Sequence, residues 1–349
     1  MVRKIETPFL WFSQLVRGRP KPWDYFKISG LMVNAYEILK KKKVGENIQK
    51  IGVHRFLNFN GPIIMDSGGF LFMKENRISI HPDEILDLYE KSKPNFGVVL
   101  DYPLSPGLAP DEIKKRQKIT LKNTKYMVKK YTGQNPELIP VIHGHTIESV
   151  RWYLNELKKI DDFNIYGIGS VVPSVFTSKG AGGIYNVIEI VTFVKSQLPD
   201  NKIIHVFGVG STLTMHLMFY AGANSVDSTG WRTKAAFGAI QLPGIGDRYI
   251  TPNKKHKKYP NLSKEERKVL ENCKCPVCRK LSLKELIKSF EYRAIHNSWV
   301  FQEELNTARK LLKESEKEYE KYVEGIIRPT RFYRAFKFAK EIKAKYSIN

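Results

Sequence analysis

Between residues 28 and 250, short β-branched apolar runs recur, and a stretch of helical period follows each one. The candidate strands are Leu31 to Asn34, Pro62 to Asp66, Phe96 to Asp101, Leu138 to His143, Ile165 to Gly169, Ile203 to Gly208 and Ser225 to Ser228, with an eighth expected at Ala239 to Leu242. Segments such as PDEILDLYEKS and NVIEIVTFVKSQL lie between them and place apolar residues three and four apart, as a helix packed on a core requires. A strand can reach a parallel neighbour only through such a crossover, so the alternation dictates a parallel sheet. Seven or eight such units in this length favour a closed (β/α)8 TIM barrel over an open, doubly wound sheet.

From about residue 251 the pattern changes. A lysine-rich, proline-flanked connector, TPNKKHKKYPNLSKEE, leads to a cysteine cluster and then to long, charged, amphipathic segments at 282 to 323 and 329 to 346. The expected division is a barrel domain at 1–250 and a zinc-binding subdomain with C-terminal helices at 251–349. All three cysteines of the chain fall within CKCPVC, as Cys273, Cys275 and Cys278, and His296 follows on a helical segment. An odd number of cysteines so close together suits a metal better than disulfides. Three thiolates and an imidazole are the ligands of a tetrahedral structural zinc and leave no open position for catalysis.

The chain carries 58 Lys and Arg against 35 Asp and Glu, a net charge of +23. Such a field favours a polyanionic partner, nucleic acid first, although a lysine-rich solvated surface explains the charge alone equally well. No apolar run reaches the roughly 18 to 20 residues that span a bilayer, and MVRKIETPFLWF is too short for a signal peptide. A cytoplasmic protein without a membrane partner is expected.

In a TIM barrel the active site is built where the strands end at their C termini. Asp66, Asp101, His143 and Asp227 all fall there. An aspartate in this position is also a common cap for the next helix, and for Asp101, with Pro103 close behind, the two readings weigh equally. After Asp66 come Ser67, Gly68, Gly69 and Phe70, a run that lets backbone approach a ligand and then presents an aromatic ring. Two carboxylates across a barrel mouth suit displacement at a sugar carbon, one attacking while the other manages the leaving group's proton. Beyond Asp227, Trp231 and Arg232 are placed to wedge into the gap left by a flipped base, or simply to pack on the barrel rim. The glycines of SKGAGGIYN read as an ordinary loop or a phosphate cradle, and His54, His145, His205, His216 and His256 as structural or surface residues.

The stretches MDSGGF, GVVLD, YGIGS, HVFGVGS, SVDS and CKCPVC to His296, in that order over about residues 28 to 300, resemble the tRNA-guanine transglycosylase superfamily of queuine and archaeosine enzymes. The resemblance implies that Asp227 is the nucleophile that attacks C1′ to form a covalent glycosyl enzyme, and that Asp66 is the acid and base for departing guanine and incoming 7-deazaguanine. It also implies that Asp101 reads the purine edge, that Phe70 and Phe207, with Gly208 beside it, sandwich the ring, and that Gly169 and Ser170 offer backbone groups to the base. His143 stands where the family usually has glutamine, Ser170 where it has the second glycine of a pair, and STGWRTKAAFG follows Asp227 in place of a proline, threonine, arginine segment. These departures lead to the expectation of a branch that inserts a 7-deazaguanine into DNA, with tRNA as the alternative polymer. Relatives often form homodimers, and the sequence leaves that state open. A catalytically silent nucleic-acid-binding barrel and a glycoside hydrolase are the rival readings. Retention of both Asp66 and Asp227 argues against the first, and the zinc ligands and basic charge against the second.

Overall fold

The computed structural model describes residues 5–69, 71, 80–133, 135–170, 181–251 and 260–347. Nine parallel strands form one sheet: β1 (Phe9–Ser13), β2 (Gly30–Asn34), β3 (Ile63–Asp66), β4 (Phe96–Val98), β5 (Glu137–Ile139), β6 (Val141–Ile142), β7 (Ile165–Ile168), β8 (Ile203–Val206) and β9 (Ser225–Ser228). Their order is β5-β4-β3-β2-β1-β9-β8-β7-β6. The two ends of that order, β5 and β6, are consecutive in the chain and separated only by Pro140, which has no N–H to give to a ladder. On one side of this break Val99 donates to the Ile139 carbonyl at 3.0 Å, and on the other Gly167 donates to the Pro140 carbonyl at 2.9 Å. The sheet thus closes on itself as a (β/α)8 barrel in which β5 and β6 make a single stave.

The eighth stave is not the expected one. Ala239–Leu242 (β10) pairs antiparallel with Gly246–Tyr249 (β11) in a separate two-stranded sheet. The missing stave is β1, held between β9 (Phe9 opposite Ser225) and β2 (Trp11 opposite Gly30). Its FLWF run is buried throughout, so it has no polar alternation to announce a strand. No long crossover helix follows it either, only the single turn Pro22–Asp24. The C-terminal helix Phe290–Glu314 lies against this part of the barrel instead. Its Gln302 accepts from the Ser29 N–H at 2.8 Å, and its Arg309 donates to the Pro8 carbonyl at 2.9 Å.

Alternation along β1 sends its side chains two ways. Trp11 and Ser13 reach Ser225 and Asp227 on β9, whereas Phe12 packs edge-on against Trp231 with ring centres 6.4 Å apart. A second apolar cluster joins Ile240 and Leu242 of β10 to Leu270, Val277, Leu286 and Ile295 around the cysteines. Between the barrel and the C-terminal helices, buried His216 is held by Glu304 at 2.7 Å and Tyr319 at 3.0 Å. Among the described residues, no helix is long and apolar enough to cross a membrane.

Because Phe12 is fully buried at the seam between β1 and the helix that carries Trp231, Phe12→Ala is expected to cost about 3–5 kcal/mol. Equilibrium unfolding in denaturant, fitted for both proteins, measures this directly.

Candidate active site and metal centre

A cleft of about 450 Å³ opens at the C-terminal end of the barrel, within the range of pockets that enclose a small ligand. Asp66 and Asp227 both line it, together with Ser13, Asn34, Phe207 and Arg232. Asp227, only 6% exposed, receives the Ser13 hydroxyl on Oδ2 and the Gly208 N–H on Oδ1, each at 2.6 Å. Gly208 therefore gives its backbone donor to this carboxylate, and its φ of 76° is one that glycine tolerates best.

Asp66 is supported differently. Asn34 donates to it at 2.5 Å from the neighbouring strand. Burial, reinforced by the nearby charges of Asp101 and Asp227, pushes its carboxyl up to about 7, while the backbone N–H groups of Gly68 and Ser67 pull the other way. The environment thus leaves Asp66 able to hold a proton near neutrality, as a general acid and base requires.

Beside this pair Asp101 anchors a polar chain. Its Oδ2 meets His143 Nε2 at 2.9 Å and its Oδ1 accepts from Ser67 at 3.2 Å, while His143 Nδ1 meets Ser170 Oγ at 2.8 Å and Ser170 also accepts from the Leu104 N–H. The helix after β4 starts at Pro110 with Ala109 as its cap, so Asp101 is not a helix cap. His143 is fully buried with both ring nitrogens engaged. It positions Asp101 and has no nitrogen left for a ligand. Ser170 sits at φ 63°, in the left-handed region that favours glycine, held there by the two bonds to its hydroxyl. Gly68 and Gly69 are also explained from within the protein. A Cβ at 69 would lie 2.5 Å from Asp101 Oδ1, and one at 68 would lie 2.6 Å from Tyr36 Cβ.

The cysteine cluster is a metal centre. The donor atoms of Cys273, Cys275, Cys278 and His296 all lie within 4.8 Å of one another. The three sulfurs are 3.6, 3.6 and 3.3 Å from His296 Nδ1. Zinc bonded to sulfur at about 2.3 Å and to nitrogen at about 2.0 Å in a tetrahedron implies an S···N edge of about 3.5 Å, so the set fits zinc. His296 Nε2 donates to the Gln241 carbonyl at 2.8 Å, which fixes the tautomer and turns Nδ1 towards the thiolates.

A sequence profile of the queuine tRNA-ribosyltransferase family matches residues 4–330. The chain belongs to this family. It is 30% identical over 295 residues to the tRNA-guanine(15) transglycosylase of Methanococcus aeolicus, covering 82% of this chain and 42% of that protein. With the enzyme of the same name from Pyrococcus furiosus it shares 28% identity over 326 residues, 90% of this chain and 51% of that protein. The chain spans about half the length of these curated relatives.

Of the two readings of Trp231, wedge or packed residue, its burial excludes the wedge. Trp231 is fully buried and packed on Phe12, so its ring faces the core and is not available to wedge between bases. Arg232, next to it, does line the cleft and donates to the Arg19 carbonyl at 3.1 Å. Phe70, residues 178–180 of the glycine-rich loop and His256 in the lysine-rich connector lie outside the described residues. Among the other histidines, His54 bonds to the Phe59 carbonyl at 3.0 Å, and the Nε2 of His145 has no partner among the described residues. The sequence did not single out Ser13 and Asn34, which line the cleft, or His205, which lies behind Asp227. Ser13 was out of reach because β1 was not identified, but Asn34 and His205 sit on expected strands at positions that alternation turns towards Asp66 and Asp227.

Cys275→Ser should abolish binding of one zinc per chain and melt the segment after residue 260, as metal analysis and circular dichroism would reveal. A second expectation concerns Asp66. Its folded carboxyl keeps a proton up to about 7, against an ordinary value of 3.8, so wild-type stability falls as pH rises between those values and then levels off. Asp66→Asn removes the titration. The variant should melt a few degrees above the wild type beyond pH 7, and the difference should vanish near pH 4.

Proposed function

We propose that this chain is a guanine transglycosylase that replaces guanine in tRNA with a 7-deazaguanine base through a covalent aspartyl-glycosyl intermediate. The observation that carries this reading is the placement of two differently supported carboxylates, Asp227 and Asp66, in one cleft. An Asp227 oxygen attacks C1′ of the target guanosine, and the C1′–N9 bond breaks with its electron pair passing to the guanine. The Asp66 carboxyl gives the departing base its proton. The incoming base then returns a proton to Asp66 as its N9 attacks C1′, and Asp227 leaves as a carboxylate. Two displacements restore the configuration at the sugar carbon. Four protein ligands, Cys273, Cys275, Cys278 and His296, would leave a bound zinc no open position, which gives it a structural role.

Two observations support tRNA over the DNA expected from the sequence. The relatives named above are tRNA-guanine(15) transglycosylases. Burial of Trp231 also removes the ring proposed to fill a duplex gap. The +23 charge suits either polymer, because phosphate contacts are blind to the sugar and base.

Asp227→Ala should reduce incorporation of labelled guanine by at least about a thousandfold while leaving polymer binding close to wild type. Retention of near wild-type turnover would exclude Asp227 as the nucleophile. Wild-type protein offered matched tRNA and DNA at fixed salt should label the tRNA. Label in DNA alone would restore the DNA reading, and binding without label in either would indicate a silent binding subunit.

A further inference from the structure

His205 is fully buried on β8, directly behind the nucleophile, and the chemistry above gives it no role. Its Nδ1 lies 3.0 Å from Ser225 Oγ, and the same oxygen accepts the Trp11 indole N–H at 2.8 Å. Its Nε2 has no hydrogen-bond partner among the described residues and lies 3.6 Å from Asp227 Oδ1. Edge-to-face packing on Phe207, with centres 4.4 Å apart, holds the ring in place.

The proton arrangement follows from these contacts. With one Ser225 lone pair taken by Trp11, the serine hydroxyl has His205 Nδ1 as its acceptor, so Nδ1 is bare and Nε2 carries the hydrogen. The opposite tautomer strands the serine proton and points a ring lone pair at a carboxylate. We infer that His205 is a positioning residue for Asp227: its Nε2–H, oriented through Trp11 and Ser225, closes onto Oδ1 when the carboxylate turns to attack, and steadies the same carboxylate as it departs. Such bonds are often long before substrate binds and tighten in the complex. The role rests on the transglycosylase reading, because it serves the covalent step assigned to Asp227. No charge or proton is transferred to His205.

His205→Phe keeps the ring volume and removes the donor, whereas His205→Gln restores an N–H. With zinc content and melting temperature as controls, guanine exchange should show a loss in kcat of about tenfold or more for the Phe variant, little change in KM for guanine or polymer, and partial recovery for Gln. Nitrogen NMR of histidine-labelled protein should find Nε2 protonated and Nδ1 bare in the wild type, and Ser225→Ala should disturb that preference. The role is overturned if the Phe variant turns over within about twofold of wild type, if Gln is as impaired as Phe, or if Nδ1 alone carries the proton. Absence of exchange by the wild type on both tRNA and DNA overturns the proposed reaction itself and this role with it. Intact wild-type exchange with an unaffected Phe variant overturns only the role of His205.

Discussion

The seam between β1 and β9 is the contact on which the rest of the molecule depends. A parallel sheet of this kind is stable only if both edges are paired or covered, and here the N-terminal strand closes the barrel by pairing with the last stave. The same pairing sets Trp11 beside Ser225 and Ser13 beside Asp227. Closure and construction of the site are thus one event. A one-residue slip of β1 would turn Phe12 towards the carboxylate and send Ser13 into the apolar layer, so the buried faces enforce the register that the chemistry needs.

Three carboxylates share the mouth of this barrel, and each is held by a different set of donors. Asp227 has a backbone N–H and a hydroxyl bonded to it, with the edge of an imidazole beyond. Asp101 has a hydroxyl and a histidine. Asp66 has Asn34 and the turn N–H groups, but it also feels the charge of both other carboxylates. Burial first, and then the like charges of Asp101 and Asp227, raise the affinity of Asp66 for a proton against the pull of the Gly68 and Ser67 N–H groups. The three side chains are chemically identical, so the proposed division into nucleophile and acid rests on their different surroundings.

Much of this was legible in the sequence. The crossover pattern marked the strands from Leu31 to Ser228, the strand ends marked the aspartates, and the compact CKCPVC with His296 marked the metal ligands, because each of these signals is local. What escaped depends on partners far apart in the chain. The strand FLWF is uniformly buried and lacks its own helix, which the C-terminal segment supplies some 280 residues later. Between wedging and packing the sequence left Trp231 open, because only the packed structure reveals Phe12 beside it. His143 and Ser170 looked like two separate departures from a family pattern. They form a couple instead: the serine occupies a backbone conformation suited to glycine, and its hydroxyl bonds to the histidine.

The metal centre belongs to the same construction, although it lies outside the cleft. His296 and Asn297 are adjacent on one helix, and while His296 donates to the Gln241 carbonyl, Asn297 accepts from the Gln241 N–H at 2.7 Å and donates to the carbonyls of Trp231 and Ala239. Trp231 lies in helix Gly230–Ala236, which starts two residues after the end of the strand carrying Asp227. Arg293, a turn earlier, donates to the Ala235 carbonyl near the other end of that short helix. Seven residues of helix have little stability of their own. Their carbonyls are instead held by a long helix that His296 ties to the metal centre, so folding free energy released at the metal is transmitted by hydrogen bonds to the segment that follows Asp227.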